Sequence, residues 1–143
     1  MPQSLAEIYL HIVFSTKGRH PFLHDRAIRE QVHNYLFGTC KNLDCPPLRV
    51  GGVEDHIHIA CRLGKSISIS NLIKEPKRES SQWIKGLAPD LAGFYWQSGY
   101  GAFSISPGHV AELVAYIKQE GRVLGGGTSV GWDKVALSNL HSG

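Results

Sequence analysis

The chain has 143 residues, 42% of them hydrophobic, with a formal net charge of +3 and a pI near 8.8. That is one domain's length with enough apolar material for a core, which excludes a disordered chain. No apolar run approaches the ~20 residues of a membrane span, and Met1-Pro2-Gln3-Ser4 lacks a signal-peptide layout, so a cytoplasmic protein is expected. The basic balance permits a polyanionic partner without requiring one. Cys40, Cys45 and Cys61 lack metal-type spacing and read as reduced, buried thiols.

From Leu5 to Ser15 the residues alternate, with Ile8, Leu10, Ile12 and Phe14 on one face and Tyr9, His11, Val13 and Ser15 on the other. That is a half-buried strand. A basic loop, Thr16 to Pro21, follows. Asp25 is placed to cap a helix running through Ile28, Val32, Leu36 and Cys40, ended by Pro46-Pro47. Leu48 to Val53 and Ile57 to Leu63 read as two strands joined by a tight turn at Glu54-Asp55. A second helix carries Ile69, Leu72, Ile73, Trp83 and Ile84, and Pro76 should kink it or delay its start. A fourth strand is expected near 102–104, and Ser106-Pro107 should open a last helix through Val110, Leu113, Val114 and Ile117.

The order β-α-β-β-α-β-α predicts an α+β, ferredoxin-like (RRM-like) antiparallel sheet. Two helices should cover one face, the other being left for function, and the extra C-terminal helix bears Tyr116. Beyond Gly121 the Gly-rich segment to Gly143 has no clear period, and a loosely held tail is expected there.

Alternation puts Ile57, Ile59 and Cys61 toward the core, so His56 and His58 project in parallel from the opposite face. Two such imidazoles can share a metal if a third ligand arrives from another element, or they can be plain exposed strand residues. His11 falls on the matching face of the first strand. Tyr116 borders the last helix's apolar stripe, where it is either a rim residue or a nucleophile. A phenol of pKa ~10 needs a strongly polarised target to attack at neutral pH. Gln119 or Glu120, one turn on, could supply the missing metal ligand.

Together these segments resemble the single-tyrosine HUH transposases of small bacterial insertion sequences and the related repeat-associated tyrosine transposases. The resemblance rests on 11–17 (HIVFSTK), 51–58 (GGVEDHIH), 80–85 (SSQWIK), 96–106 (WQSGYGAFSIS) and Tyr116-Ile117, in that order, within a domain of residues 1–120. It implies a ferredoxin-like homodimer that cleaves and rejoins single-stranded DNA at hairpin-forming element ends through a 5′-phosphotyrosine. It also implies Mg²⁺ or Mn²⁺ as cofactor, His56 and His58 as ligands, and Tyr116 as nucleophile, acting across the dimer in many relatives. On that reading Lys17, Arg19, Lys77, Arg78 and Lys85 would meet DNA phosphates, and Tyr100 and Trp83 would stack on bases.

The chain departs from the family after its tyrosine. Relatives run Tyr-Ile-x-x-Gln, whereas here Gln119 comes one residue early and Glu120 lies most nearly above Tyr116. Either Glu120 substitutes as ligand, or the reading frame was lost near residue 118. The second case predicts an impaired remnant that still binds single-stranded nucleic acid.

Overall fold

Tyr9–Ser15 forms β1, which pairs antiparallel with β3 (His56–Arg62) on one side and β4 (Gly101–Ile105) on the other. Outside β3 lies β2 (Pro47–Gly52), giving the order β2-β3-β1-β4. Helices α1 (Arg26–Asn42) and α2 (Ile69–Lys85) make the two crossovers, so the architecture is the expected ferredoxin-like α+β sheet. The computed structural model describes residues 6–119; Leu5, Glu120 and the Gly-rich tail fall outside the described residues. Among those residues, no helix is long and apolar enough to cross a membrane.

The strand alternation read from sequence holds in register. Leu10 pairs with Cys61, Ile12 with Ile59 and Phe14 with Ile57, and all six are buried on the face covered by α1 and α2. Each such side chain contributes about 1.5–3 kcal/mol on burial. Val32, Leu36 and Cys40 of α1 and Leu72, Ile73 and Ile84 of α2 close that core. The three thiols are buried and unbridged. Burial, reinforced by the neighbouring Cys45, pushes the Cys40 thiol up to about 12, and Cys61 is raised for the same reasons.

Both caps act as their residue types suggest. Asp25 accepts from Ile28 N at 3.1 Å, and Ser68 accepts from Asn71 N at 3.1 Å. Two local expectations fail. Pro76 does not delay α2, which starts before it and runs through it; the ring removes one backbone hydrogen bond and is itself buried. Nor does Ser106 cap the last helix. Its hydroxyl bonds His109 Nδ1 at 2.6 Å, Pro107–His109 form a 3-10 turn, and α3 (Val110–Gln119) starts only after it.

Helix α3 packs across the second face of the sheet, on β2 and β3, so that face is not left wholly open. Leu113 and Ile117 bury against Ala60, flanked by Ile105, Val114 and Tyr116. The close approach depends on Gly51, where a Cβ would stand only 2.7 Å from Ile117 Cγ2.

Candidate active site

The second sheet face gathers the histidines. His56, His58 and Ala60 of β3 lie beside Ser15, Val13 and His11 of β1 in strict register. The turn feeding β3 is tight: Val53 N donates to His56 O at 3.1 Å, and Gly52 has φ +148, with the space for a Cβ occupied by the His56 carbonyl. A side chain at position 52 would break this turn.

His56 and His58 are not exposed strand residues. Their relative exposures are 5% and 0%. His56 Nδ1 lies 2.8 Å from Asp55 Oδ1, and His58 Nδ1 lies 2.8 Å from His11 Nε2. Asp55 is held in turn by Arg19, whose Nε is 3.1 Å from its carboxylate. Burial alone would raise the Asp55 carboxyl, but hydrogen bonds and charge from His56 and Arg19 outweigh it and hold the group below its ordinary range.

Tyr116 reaches the same place from α3. Its ring stands edge-on to that of His58 with centroids 5.7 Å apart, and the His56 and His58 rings are 5.0 Å apart. The structure therefore brings together three residues singled out from sequence, on one chain. It sets His11, Asp55 and Arg19 behind them, in roles that depend on register and on the fold of the loop, and of these Asp55 had no functional role in the sequence reading. Ser15, opposite His56, is fully buried, and its hydroxyl has no hydrogen-bond partner among the described residues. Gln119 is exposed at the end of α3. Among the described residues, no group of three or more His, Cys, Asp or Glu side chains is arranged to hold a metal.

With this geometry in view, residues 4–120 match the profile of the IS200-like transposases. The chain belongs to that family.

Solved structures agree on the fold of this transposase. A Deinococcus radiodurans R1 protein described as a transposase superposes with a TM-score of 0.65 at 18% identity, covering 84% of this chain and 95% of that one. A REP-associated tyrosine transposase bound to a REP hairpin superposes with a TM-score of 0.59 at 12% identity, covering 83% and 70%. No curated protein matches the sequence significantly.

The basic side chains named from the transposase sequence divide into two groups. Arg19 is tied to Asp55, Arg78 bonds Glu75 at 2.6 Å, and Lys77 Nζ donates to the carbonyls of Gln97 and Gly99 at 2.8 and 3.1 Å. Lys17 and Lys85 flank the exposed Tyr95 ring at 5.7 and 4.2 Å, and Lys85 Nζ also donates to Ser81 Oγ at 2.8 Å. Nothing in the sequence but its aromatic character marks Tyr95. Tyr100 is exposed just before β4, whereas Trp83 stacks on Tyr35 at 4.4 Å and is half-buried.

Proposed function

We propose that this transposase cleaves and rejoins single-stranded DNA, with Tyr116 as nucleophile and His56 and His58 as ligands of Mg²⁺ or Mn²⁺. The convergence of the Tyr116 and His56 rings on His58, from two separate elements, carries the reading. The donor set fits a divalent ion in part. With both Nδ1 atoms engaged, by Asp55 and by His11, the Nε2 atoms are the ones that would meet the metal, an orientation that partner groups behind ligating imidazoles commonly enforce. The third ligand would be Gln119, Glu120 or an oxygen of the substrate. Such an ion would polarise the scissile phosphate and offset the charge that builds there.

The protein's own part is positioning and bond exchange. Tyr116 Oη gives up its proton and bonds to phosphorus, while the bond to the 3′-oxygen breaks and that oxygen leaves as a 3′-hydroxyl. A second 3′-hydroxyl attacking the 5′-phosphotyrosine reverses the exchange, rejoins the strand and restores the phenol. The buried Ser15 hydroxyl beside His56 is suited to bond a phosphate oxygen. Lys17 and the exposed Tyr100 are better placed to touch the strand than Arg19, Lys77, Arg78 and Lys85, since the latter four have hydrogen-bond partners within the chain. The solved relative's REP hairpin supports a hairpin-forming substrate. A homodimer exchanging tyrosine helices would require α3 to leave its own β2 and β3.

The test is a 3′-labelled hairpin oligonucleotide with a single-stranded flank, incubated with Mn²⁺ and run on a denaturing gel. Wild type should retain the label as a covalent adduct, and Tyr116→Phe should not. Nicking that persists in the Phe variant removes Tyr116 from the role. The exposed position of Gln119 favours a second reading, a remnant that binds without cleaving. Salt-sensitive binding with no adduct under either metal selects that alternative.

A further inference from the structure

Strand β2 is an edge of the sheet, and where α1 and α3 flank it they form an open cavity of about 220 Å³. Four cations line it: Arg26 and Arg29 from α1, Arg49 from β2 and Lys118 from α3. Glu30 is the sole carboxylate among the lining residues, and it lies 3.5 Å from Arg26 in a one-turn ion pair. Among the described residues, Arg29, Arg49 and Lys118 remain as a local surplus of three charges.

The α1 residues involved, Arg26, Arg29, Glu30 and His33, recur at helical spacing and so share one face. Arg29 is anchored by one bond from Nη1 to the Leu23 carbonyl at 3.0 Å. A guanidinium has five donors, so the fork keeps capacity for a planar oxyanion. Arginine forks match phosphate oxygens in pairs, and an edge strand adds outward backbone N–H groups. The volume lies below the roughly 300–1,000 Å³ of small-molecule sites. It suits a single phosphodiester better than a whole nucleotide cofactor.

The location ties the cavity to the candidate active site. Gly51, which helps to line it, pairs in register with His58, and the lining Ile117 directly follows Tyr116. Adjacent strands are about 4.8 Å apart, so the cavity opens one strand away from the histidines. We propose that it binds a backbone phosphate of the DNA strand flanking the cleavage point. The inference rests on the strand-cleaving reading above and adds a contact, independent of base sequence, that holds the flank in place.

The experiment measures binding of the full chain to a fluorescent hairpin oligonucleotide with single-stranded flanks, by anisotropy across a salt series. The variants are Arg29→Gln, Arg49→Gln, the double substitution and Glu30→Gln, each checked for folding by urea denaturation. Each lost cation should make the dependence of log affinity on log salt shallower by about 0.7, the single-strand value per phosphate contact. Affinity should fall several-fold on all sequences alike, while Glu30→Gln should bind more tightly. Unchanged slopes and affinities in folded variants, with wild type still forming its tyrosine adduct, overturn the cavity assignment and leave cleavage standing. If wild type neither binds nor forms an adduct, the strand-cleaving reading falls and the phosphate site falls with it.

Discussion

His11 Nε2 and His58 Nδ1 stand 2.8 Å apart, with their rings inclined by only 20° and both residues fully buried. A metal at His58 Nε2 needs the proton on Nδ1, which makes His11 the acceptor. Replacing His11 by Phe removes that acceptor and keeps a ring, whereas Gln keeps an acceptor. Mn²⁺ titration calorimetry should show affinity falling about 10–100-fold in His11→Phe, the usual effect of losing a partner group behind a ligand, with a smaller loss in His11→Gln. Losing the bond to the buried His58 ring should also lower stability by about 1–3 kcal/mol. Equal affinities in all three proteins would remove His11 from the site.

Asp55 links the same site to acid stability. Its folded-state carboxyl is held low by His56 and Arg19 against the opposing effect of burial. A carboxyl depressed on folding contributes stability that is fully present above its unfolded value, near 3.9, and is lost as pH falls through the folded one. In metal-free protein, Asp55→Asn should therefore lie below wild type at pH 6 and converge with it toward pH 3. Urea midpoints between those pH values check this. A constant gap across the range would mean that the carboxylate's charge does not matter.

Much of this was legible from the residue pattern, and the misses share a cause. Alternation alone separated Ile57, Ile59 and Cys61 from His56 and His58, because a strand's two faces follow from period two. The cap at Asp25 likewise depends on local chemistry. The His11–His58 bond joins residues 47 apart and exists only in one register of β1 against β3. Lys77 looked like a surface cation until the loop carbonyls of Gln97 and Gly99 were folded onto it. Ser106 had the residue type of a cap, but its hydroxyl is bonded to His109. Where a side chain's partner comes from another element, local pattern is silent.

Gly51 is where α3 is allowed to dock, so Gly51→Ala should act through that helix. The added methyl would stand 2.7 Å from Ile117 Cγ2 and 3.1 Å from the Ile117 carbonyl oxygen. Overpacking of this kind costs about 1–3 kcal/mol, and it should push Tyr116 away from His58. Thermal melting should register the loss, and adduct formation should fall with it. Ile117→Ala alone opens a cavity worth about 2–5 kcal/mol. Combined, the two changes relieve each other's clash and void, so the double variant should be more stable than the sum of the singles requires. Strict additivity would show that α3 does not rest on Gly51.

Lys77 yields the alkaline counterpart. Its part-buried ammonium donates to the Gln97 and Gly99 carbonyls, 5.5 Å from the Phe14 ring centroid, and that burial lowers it from the ordinary 10.5 to about 8. Between those values the unfolded chain still holds the proton that the folded one has released, so this group makes stability rise with pH across that window. The buried thiols act the other way. Cys40, raised to about 12, keeps a proton that the unfolded chain loses near 9, which lowers stability as pH climbs. The two trends overlap, so the informative quantity is wild type relative to Lys77→Met, which keeps the thiols and removes the ammonium. Urea midpoints from pH 7 to 11 should show wild type gaining on the variant from about pH 8 upward. Parallel curves would mean that the Lys77 proton is bound equally in both states, and its depressed value would have to be abandoned.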